Sequence, residues 1–389
     1  MNFVSLRMLM GDRAKYLGIV FGITFASMLI TQQVSIFFGL LSRTYGFISD
    51  TGYPDVWVMD NKVQFIDDIK PLQDTQLLRV RGVEGVDWAL PLYKGLIKAR
   101  LTDGTFQTCN VIGLDDASLI GGPPEMAQGR LDDLRRADGV IVDEVGSKDK
   151  LAHEERDANG KLISRRPLEV GDLLELNDRR AVVVGICRVQ RTFQSQPVIY
   201  TTYSRATILA PKERKLLSFI CVKAKPGVDP SKLADKIETD TGLAALSAHE
   251  FSMKTVWYFM KNTGIPINFG IAVALGFLVG TAIAGQTFYQ FTSDNIRQFG
   301  ALKAMGATNL RLLGMIFLQA VVVGVIGYGL GVGVASSFAV LAKKTELAFL
   351  LRIETLVGTG VAITLICVFA SLLSVWKVMR LEPAIVFKG

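Results

Sequence analysis

The chain has 389 residues, half of them hydrophobic, and its mean hydropathy is positive, which is too apolar for an ordinary soluble domain of this length. Its formal charge of +7 comes without a basic patch interleaved with aromatics, so no nucleic-acid function is read into it. The only histidines, His153 and His249, stand far apart, and His153-Glu154-Glu155 lacks the second histidine of a zinc-protease helix, so neither a catalytic nor a metal-binding constellation is expected.

In chain order, residues 1–15 combine Phe3, Leu6 and Met10 with basic residues and predict a helix lying on a membrane surface. Tyr16 to Ser42 then runs without a charged residue, as do Asn262 to Ser293, Leu312 to Ala342 and Thr355 to Trp376. Each exceeds the ~20 residues that cross ~30 Å of hydrocarbon as a helix, so four membrane spans are predicted. The first run is too long for a signal-peptide core and is expected to stay in the mature protein. Its polar last third (Thr31, Gln32, Gln33, Ser35, Ser42) predicts a helix that protrudes from the outer face.

Residues 44–260 read as one mixed α/β domain. Strands are expected at 55–59, 140–142, 173–176, 181–186 and 219–223, and a hairpin from 94 to 112 turns at Asp103-Gly104. Asn177-Asp178 makes a second turn, and 153–166 is expected to be an exposed loop or hairpin tip. Pro230 to Thr241 predicts an amphipathic helix burying Leu233, Ala234 and Ile237, and from His249 the pattern is helical toward the second span. Cys109, Cys187 and Cys221 sit in strand-like apolar contexts and are expected to be small buried residues; their odd number fits no disulfide framework.

Between the second and third runs, Ile296, Phe299, Leu302, Lys303 and Met305 fall at helical spacing, and Gly306 is placed to close that helix in a left-handed conformation. Such a helix either receives force from a soluble partner or is a connector lying on headgroups. Gly280 to Thr287 imitates a phosphate-binding loop but has Gln286 where lysine is needed, so the chain is not expected to hydrolyse nucleotide. Gly18 with Gly22, Gly276 with Gly280, and Gly329 with Gly333 in the 327–333 run match a small-residue packing pattern, for contacts within the chain or between subunits. Gln286, Tyr289, Gln290 and Gln319 are polar residues inside spans, placed to face a helix interface or a passage. The absence of ionisable residues from the spans argues against an ion- or proton-coupled pathway.

Charge orients the chain. Residues 44–260 carry 29 basic and 31 acidic side chains, whereas the remainder carries 14 and 5. Segments 1–15, 294–311 and 377–389 are each +2, which places them and both termini in the cytoplasm and the large domain outside. Segment 343–354, with Lys343, Lys344 and Arg352 against Glu346 and Glu354, dissents weakly.

One span, a large outer domain, three further spans and the segment Gly300-Ala301-Leu302-Lys303-Ala304-Met305-Gly306-Ala307-Thr308 together resemble the MacB/FtsX-type permease subunits of ABC transporters. Gly129-Arg130-Leu131 with Val140 to Glu144, and Val170 to Leu173 leading to Val183 to Ile186, carry the resemblance in the outer domain. Thr263-Gly264-Ile265-Pro266 and the Ala301 to Gly306 run look closest to the DevC-like branch.

The resemblance implies a four-helix membrane protein with a MacB-like periplasmic core inserted between helices 1 and 2. Its implied partition is a cytoplasmic lead-in 1–15, helix 1 with stalk 16–43, the extracytoplasmic domain 44–248, stalk with helix 2 249–293, and a coupling-helix loop 294–311. Helix 3 (312–342), an outer loop (343–354), helix 4 (355–376) and a cytoplasmic tail (377–389) complete it. Ile296, Phe299, Leu302, Lys303, Met305 and Gly306 would couple to the ATPase, and Gln32 to Leu41 with Phe251 to Met260 would form stalk segments. The implied protein is a homodimer in the cell inner membrane that binds no cofactor itself; a separate ABC ATPase subunit supplies ATP and Mg²⁺. Its implied action is mechanotransmission for export, with a periplasmic adaptor and an outer-membrane channel as further partners. The alternatives are a lipoprotein- or lipid-extracting permease and a non-transporting activator of cell-wall hydrolases.

Overall fold

A computed structural model describes residues 2–101, 103–156, 162–211, 217–342 and 347–379. The hairpin tip expected near Asp157 to Gly160, residues 343–346 of the expected outer loop, and 380–389 of the expected tail lie outside the described residues. The chain divides into two compact units, one of Leu41–Thr263 and one of the described residues up to Leu40 and from Gly264 onward.

Helix α1 (Asn2–Gly11) stops at Asp12, and α2 (Arg13–Thr51) then runs unbroken for 39 residues. No proline interrupts it, and the polar last third that the sequence singled out is helical throughout.

The unit Leu41–Thr263 begins its sheet with β1 (Val56–Met59), followed by α3 (Asp74–Arg81), β2 (Val86–Arg100) and β3 (Phe106–Leu114). Next come β4 (Glu125–Gln128), a 3-10 turn at Leu131–Arg135, β5 (Gly139–Asp143), α4 (Glu144–Lys148), β6 (His153–Arg156) and β7 (Leu162–Arg166). After β8 (Leu173–Leu176), β9 (Arg179–Arg188), β10 (Val198–Thr202) and α5 (Tyr203–Leu209), the chain forms β11 (Phe219–Ala224), α6 (Pro230–Thr241), β12 (Ala244–Ser247) and α7 (Ala248–Asn262).

The strand order β12-β1-β11-β2, antiparallel throughout, is that of a split βαβ unit in which α3 and α6 make the crossovers. Leu233, Ala234 and Ile237 of α6 are buried against this layer, as their spacing predicts. Asp229 caps α6 by accepting from the Ser231 amide at 2.9 Å, and Gly242 ends it at φ +73°.

Strand β2 is long enough to serve two layers: residues 86–92 pair with β11, and 93–100 pair with β3. The second layer continues through β10 and β5 to β9 and β4. Asp143 ties it together, accepting from the amides of Gly146 and Val198 at 2.7 Å each. Where the two layers meet, Trp57 packs edge-on against Phe219 at 5.7 Å and also against Phe251 of α7 at 5.9 Å. Cys109, Cys187 and Cys221 are buried free thiols.

The other unit contains α8 (Ile265–Asp294), α9 (Ile296–Ala304), α10 (Asn309–Ala342) and α11 (Ile353–Met379). Among the described residues, α2, α8, α10 and α11 are long and apolar enough to cross a membrane. They share a core that includes Ile19, Ile23, Ala284, Phe288, Val323 and Ile366. The helix expected to run from His249 into the second span is two helices. Thr263 is extended (φ −125°, ψ 155°) between α7 and α8, and Pro266, which has no amide proton to donate, stands in the first turn of α8.

Candidate functional site

The segment joining α8 to α10 forms a short platform whose ends are fixed by backbone chemistry. Asn295 terminates α8, its side-chain amide donating to the Phe291 carbonyl at 2.8 Å. At the other end, the Gly306 amide donates to Lys303 O at 3.1 Å and the Ala307 amide to Leu302 O at 3.0 Å, with Gly306 at φ +93°. This pair of bonds is a Schellman motif, and the Leu302 and Ala307 side chains pack on one cluster, as that motif favours.

The six residues expected to couple do not share one exposed face. Phe299 is fully buried against Leu312, Met315 and Ile316 of α10. Ile296, Leu302 and Lys303 are half-buried, whereas Met305 is 76% exposed and Gly306 is open. Phe299 therefore anchors α9 to α10, and the outward surface comprises Met305 with Arg297 and Gln298.

Helix α1 is held to the same end of α10. The Ser5 hydroxyl donates to Met315 O at 2.9 Å, and Gln319 Nε2 donates to Ser5 O at 2.8 Å. All of this is buried, along with Leu9. The sequence expects a surface-lying helix from Phe3, Leu6 and Met10; Phe3 and Met10 are exposed, Leu6 is half-buried, and Ser5 and Leu9 face inward. Lys15 reaches both Asp12, at 2.7 Å, and Asp294 at the end of α8. Between α1 and the α8–α9 junction lies a cleft of about 730 Å³ lined by Phe3, Arg7, Asp294 and Gln298 among others. The sequence places Gln319 to face a helix interface or a passage; Ser5 carries no signal beyond being polar, and Lys15 counts only toward the positive charge of segment 1–15.

The glycines also divide. A Cβ on Gly22 would meet Ile283 at 2.6 Å and one on Gly280 would meet Ala26 at 2.5 Å. Gly18 and Gly276 lie at ordinary contact with Thr287 and with Leu29 and Ile30. These four serve packing within the chain. Gly329 and Gly333 have nothing within 4 Å, and it is Gly327 and Gly331 of the same run that fit against α2.

The family model for the MacB-like periplasmic core domain matches residues 17–240, more than half of the chain, and that for the FtsX-like permease C-terminal region matches 254–383. An uncharacterized ABC transporter permease of Mycobacterium tuberculosis is 23% identical over 320 residues, covering 82% of this chain and 80% of that protein. One from Methanocaldococcus jannaschii is 26% identical over 188 residues, 46% of this chain and 47% of its own. Among solved structures, the periplasmic region of MacB from Actinobacillus actinomycetemcomitans matches with a TM-score of 0.36 and 18% identity, covering 51% of this chain and 91% of that one.

Proposed function

We propose a function from the premise that this chain belongs to the MacB/FtsX-type family of ABC transporter permeases, the membrane subunits that work with an ATPase partner. In this reading the chain is a mechanotransmitter. Two copies pair in the cell inner membrane, termini in the cytoplasm, and each presents α9 to a separate ABC ATPase subunit that binds ATP and Mg²⁺. Movement of α9 passes to α10 through buried Phe299, and the spans move the extracytoplasmic domain, which drives export through an adaptor and an outer-membrane channel. The DevC-like assignment belongs to the same proposal.

The observation that carries the reading is the division of labour on α9, with Phe299 locked into the α10 core and Met305 left outward on a rigid Schellman end. A helix that only rested on lipid would need no such anchor. The unbroken course of α2 from an apolar span into the sheet-bearing unit also supports it; at 1.5 Å per residue its 39 residues reach about 58 Å.

The test is affinity purification of the full chain in mild detergent, with mass spectrometry of what accompanies it. An ABC ATPase is expected, and Met305→Asp should remove it; undiminished recovery would overturn the coupling role. Reporter fusions after Gly306 should read as cytoplasmic, and fusions after Gly160 as extracytoplasmic.

A further inference from the structure

We infer that the groove between α10 and α11 is a binding site for a single acyl chain of a membrane phospholipid.

The groove exists because small residues face each other across the two helices. Ala320, Gly324, Ile363 and Cys367 form its floor and are buried. Gly324 and Cys367 close that floor, since a Cβ on Gly324 would lie 2.8 Å from the Cys367 sulfur. The rims carry side chains that stand outward: Phe317, Val321 and Val325 on α10, the last 65% exposed, and Thr364 on α11. Small residues beneath tall rims leave a slot.

Its lining has little to offer a polar ligand. The Tyr328 hydroxyl donates to Leu356 O at 3.1 Å and the Thr364 hydroxyl to Gly360 O at 2.8 Å, so both are already paired with backbone. Dimensions choose among apolar occupants. From Phe317 to Tyr328 the helix rises about 16 Å, close to one leaflet's half of the ~30 Å hydrocarbon core. A volume of about 270 Å³ over that length gives a cross-section of about 17 Å². A helix about 10 Å across needs roughly 80 Å², so a span of a second copy does not enter the slot, whereas one extended hydrocarbon chain does. The hydrophobic effect does not favour the slot over the bilayer, because both are apolar; packing does. A chain in the slot touches protein on three sides, and an empty slot forfeits those dispersion contacts.

The full chain is purified in detergent and its bound phospholipid counted by native mass spectrometry. One phospholipid per chain is expected to survive washes that strip the rest. Thr364→Trp and Val321→Trp fill the slot from opposite rims, where both side chains already face outward. Each should lower that occupancy about tenfold, the effect of losing on the order of ten carbon–carbon contacts. Val340→Trp, at an exposed position of α10 beyond the groove, should leave it unchanged. In a second measurement the unaltered chain is reconstituted in nanodiscs containing a phosphatidylethanolamine with a diazirine in one acyl chain. Crosslinks are expected to concentrate on residues 317–328 and 360–368. Label spread evenly over the exposed faces of the four spans, or lipid retention that neither groove variant changes, would overturn the site. Loss of a dimer without loss of lipid in those variants would also overturn it and give the groove to a second copy. The crosslink pattern is read on the unaltered chain, so it decides the matter even where a variant unfolds.

Discussion

Gln319 Nε2 donates to the backbone carbonyl of Ser5 at 2.8 Å, across 314 positions of sequence and beside the Ser5 hydroxyl's own bond to Met315 O. An amide in a membrane span must find a partner, and this one fixes the N-terminal helix. Gln319→Leu removes the donor at similar volume. The expected cost is about 1 kcal/mol, the worth of one buried hydrogen bond, read as a lower midpoint of thermal unfolding in detergent. Trypsin should also cut faster after exposed Arg7, because α1 loses one of its two polar ties to α10.

The cysteines give a chemical prediction. Burial pushes the Cys109 thiol up to about 12, with the Asp143 carboxylate adding to the effect, and burial likewise raises Cys187 and Cys221. At pH 8 only about one Cys109 side chain in ten thousand would be thiolate, the reactive form. The native protein is expected to resist maleimide labelling at these three sites and to react at all of them after denaturation. Rapid labelling of any one in the folded chain would contradict its burial.

A pH dependence follows from the start of α7. The Ser247 hydroxyl donates to Glu250 Oε2 at 2.7 Å and the Ser247 amide to the same oxygen at 2.8 Å, while the Glu250 amide donates back to Ser247 Oγ at 3.3 Å and closes a capping box. Those bonds from Ser247 hold the Glu250 carboxyl below its ordinary value of 4.5. A depressed carboxylate stabilises the fold above its unfolded pKa and loses that contribution as pH falls through the folded value. The advantage of the native chain over Glu250→Gln should thus be full at neutral pH and shrink below about pH 4.5. Ser247→Ala should cost about 1 kcal/mol at neutral pH.

The spans, the Asp103-Gly104 hairpin, the Asn177-Asp178 turn and α6 were legible because each has a local signature: an uncharged run, a turn pair, or a capped amphipathic period. Asn177 and Asp178 have φ of 49° and 60°, the left-handed pair that such turns require. Strands β4, β10 and β12 and helices α3 and α5 were missed, since short elements owe their form to partners distant in sequence. β10, for instance, is held between β3 and β5. The beginning of β2 was hidden by Pro91, which the ladder tolerates opposite Ile220. On α9, spacing placed Phe299 and Met305 alike among the apolar residues. Only the position of α10 makes one an anchor and the other a contact.

The 327–333 glycines test packing against pairing within one helix. A Cβ on Gly331 would lie 2.6 Å from the Thr24 carbonyl oxygen and 2.7 Å from Ser27 Oγ, and backbone yields little, so α2 and α10 must separate. Gly331→Ala is expected to cost about 1–3 kcal/mol, the usual range for overpacking, seen as a lower unfolding midpoint. Two residues further on, Gly333 has nothing within 4 Å and carries an outward position on the same helix. Gly333→Leu should leave the unfolding midpoint where it is or raise it slightly, since leucine favours helix more than glycine does. If the second copy of the proposed dimer lies against this face, the same variant lowers the dimer fraction measured by light scattering in detergent. An unchanged dimer fraction would take Gly329 and Gly333 out of the subunit interface while leaving the packing role of Gly327 and Gly331 intact.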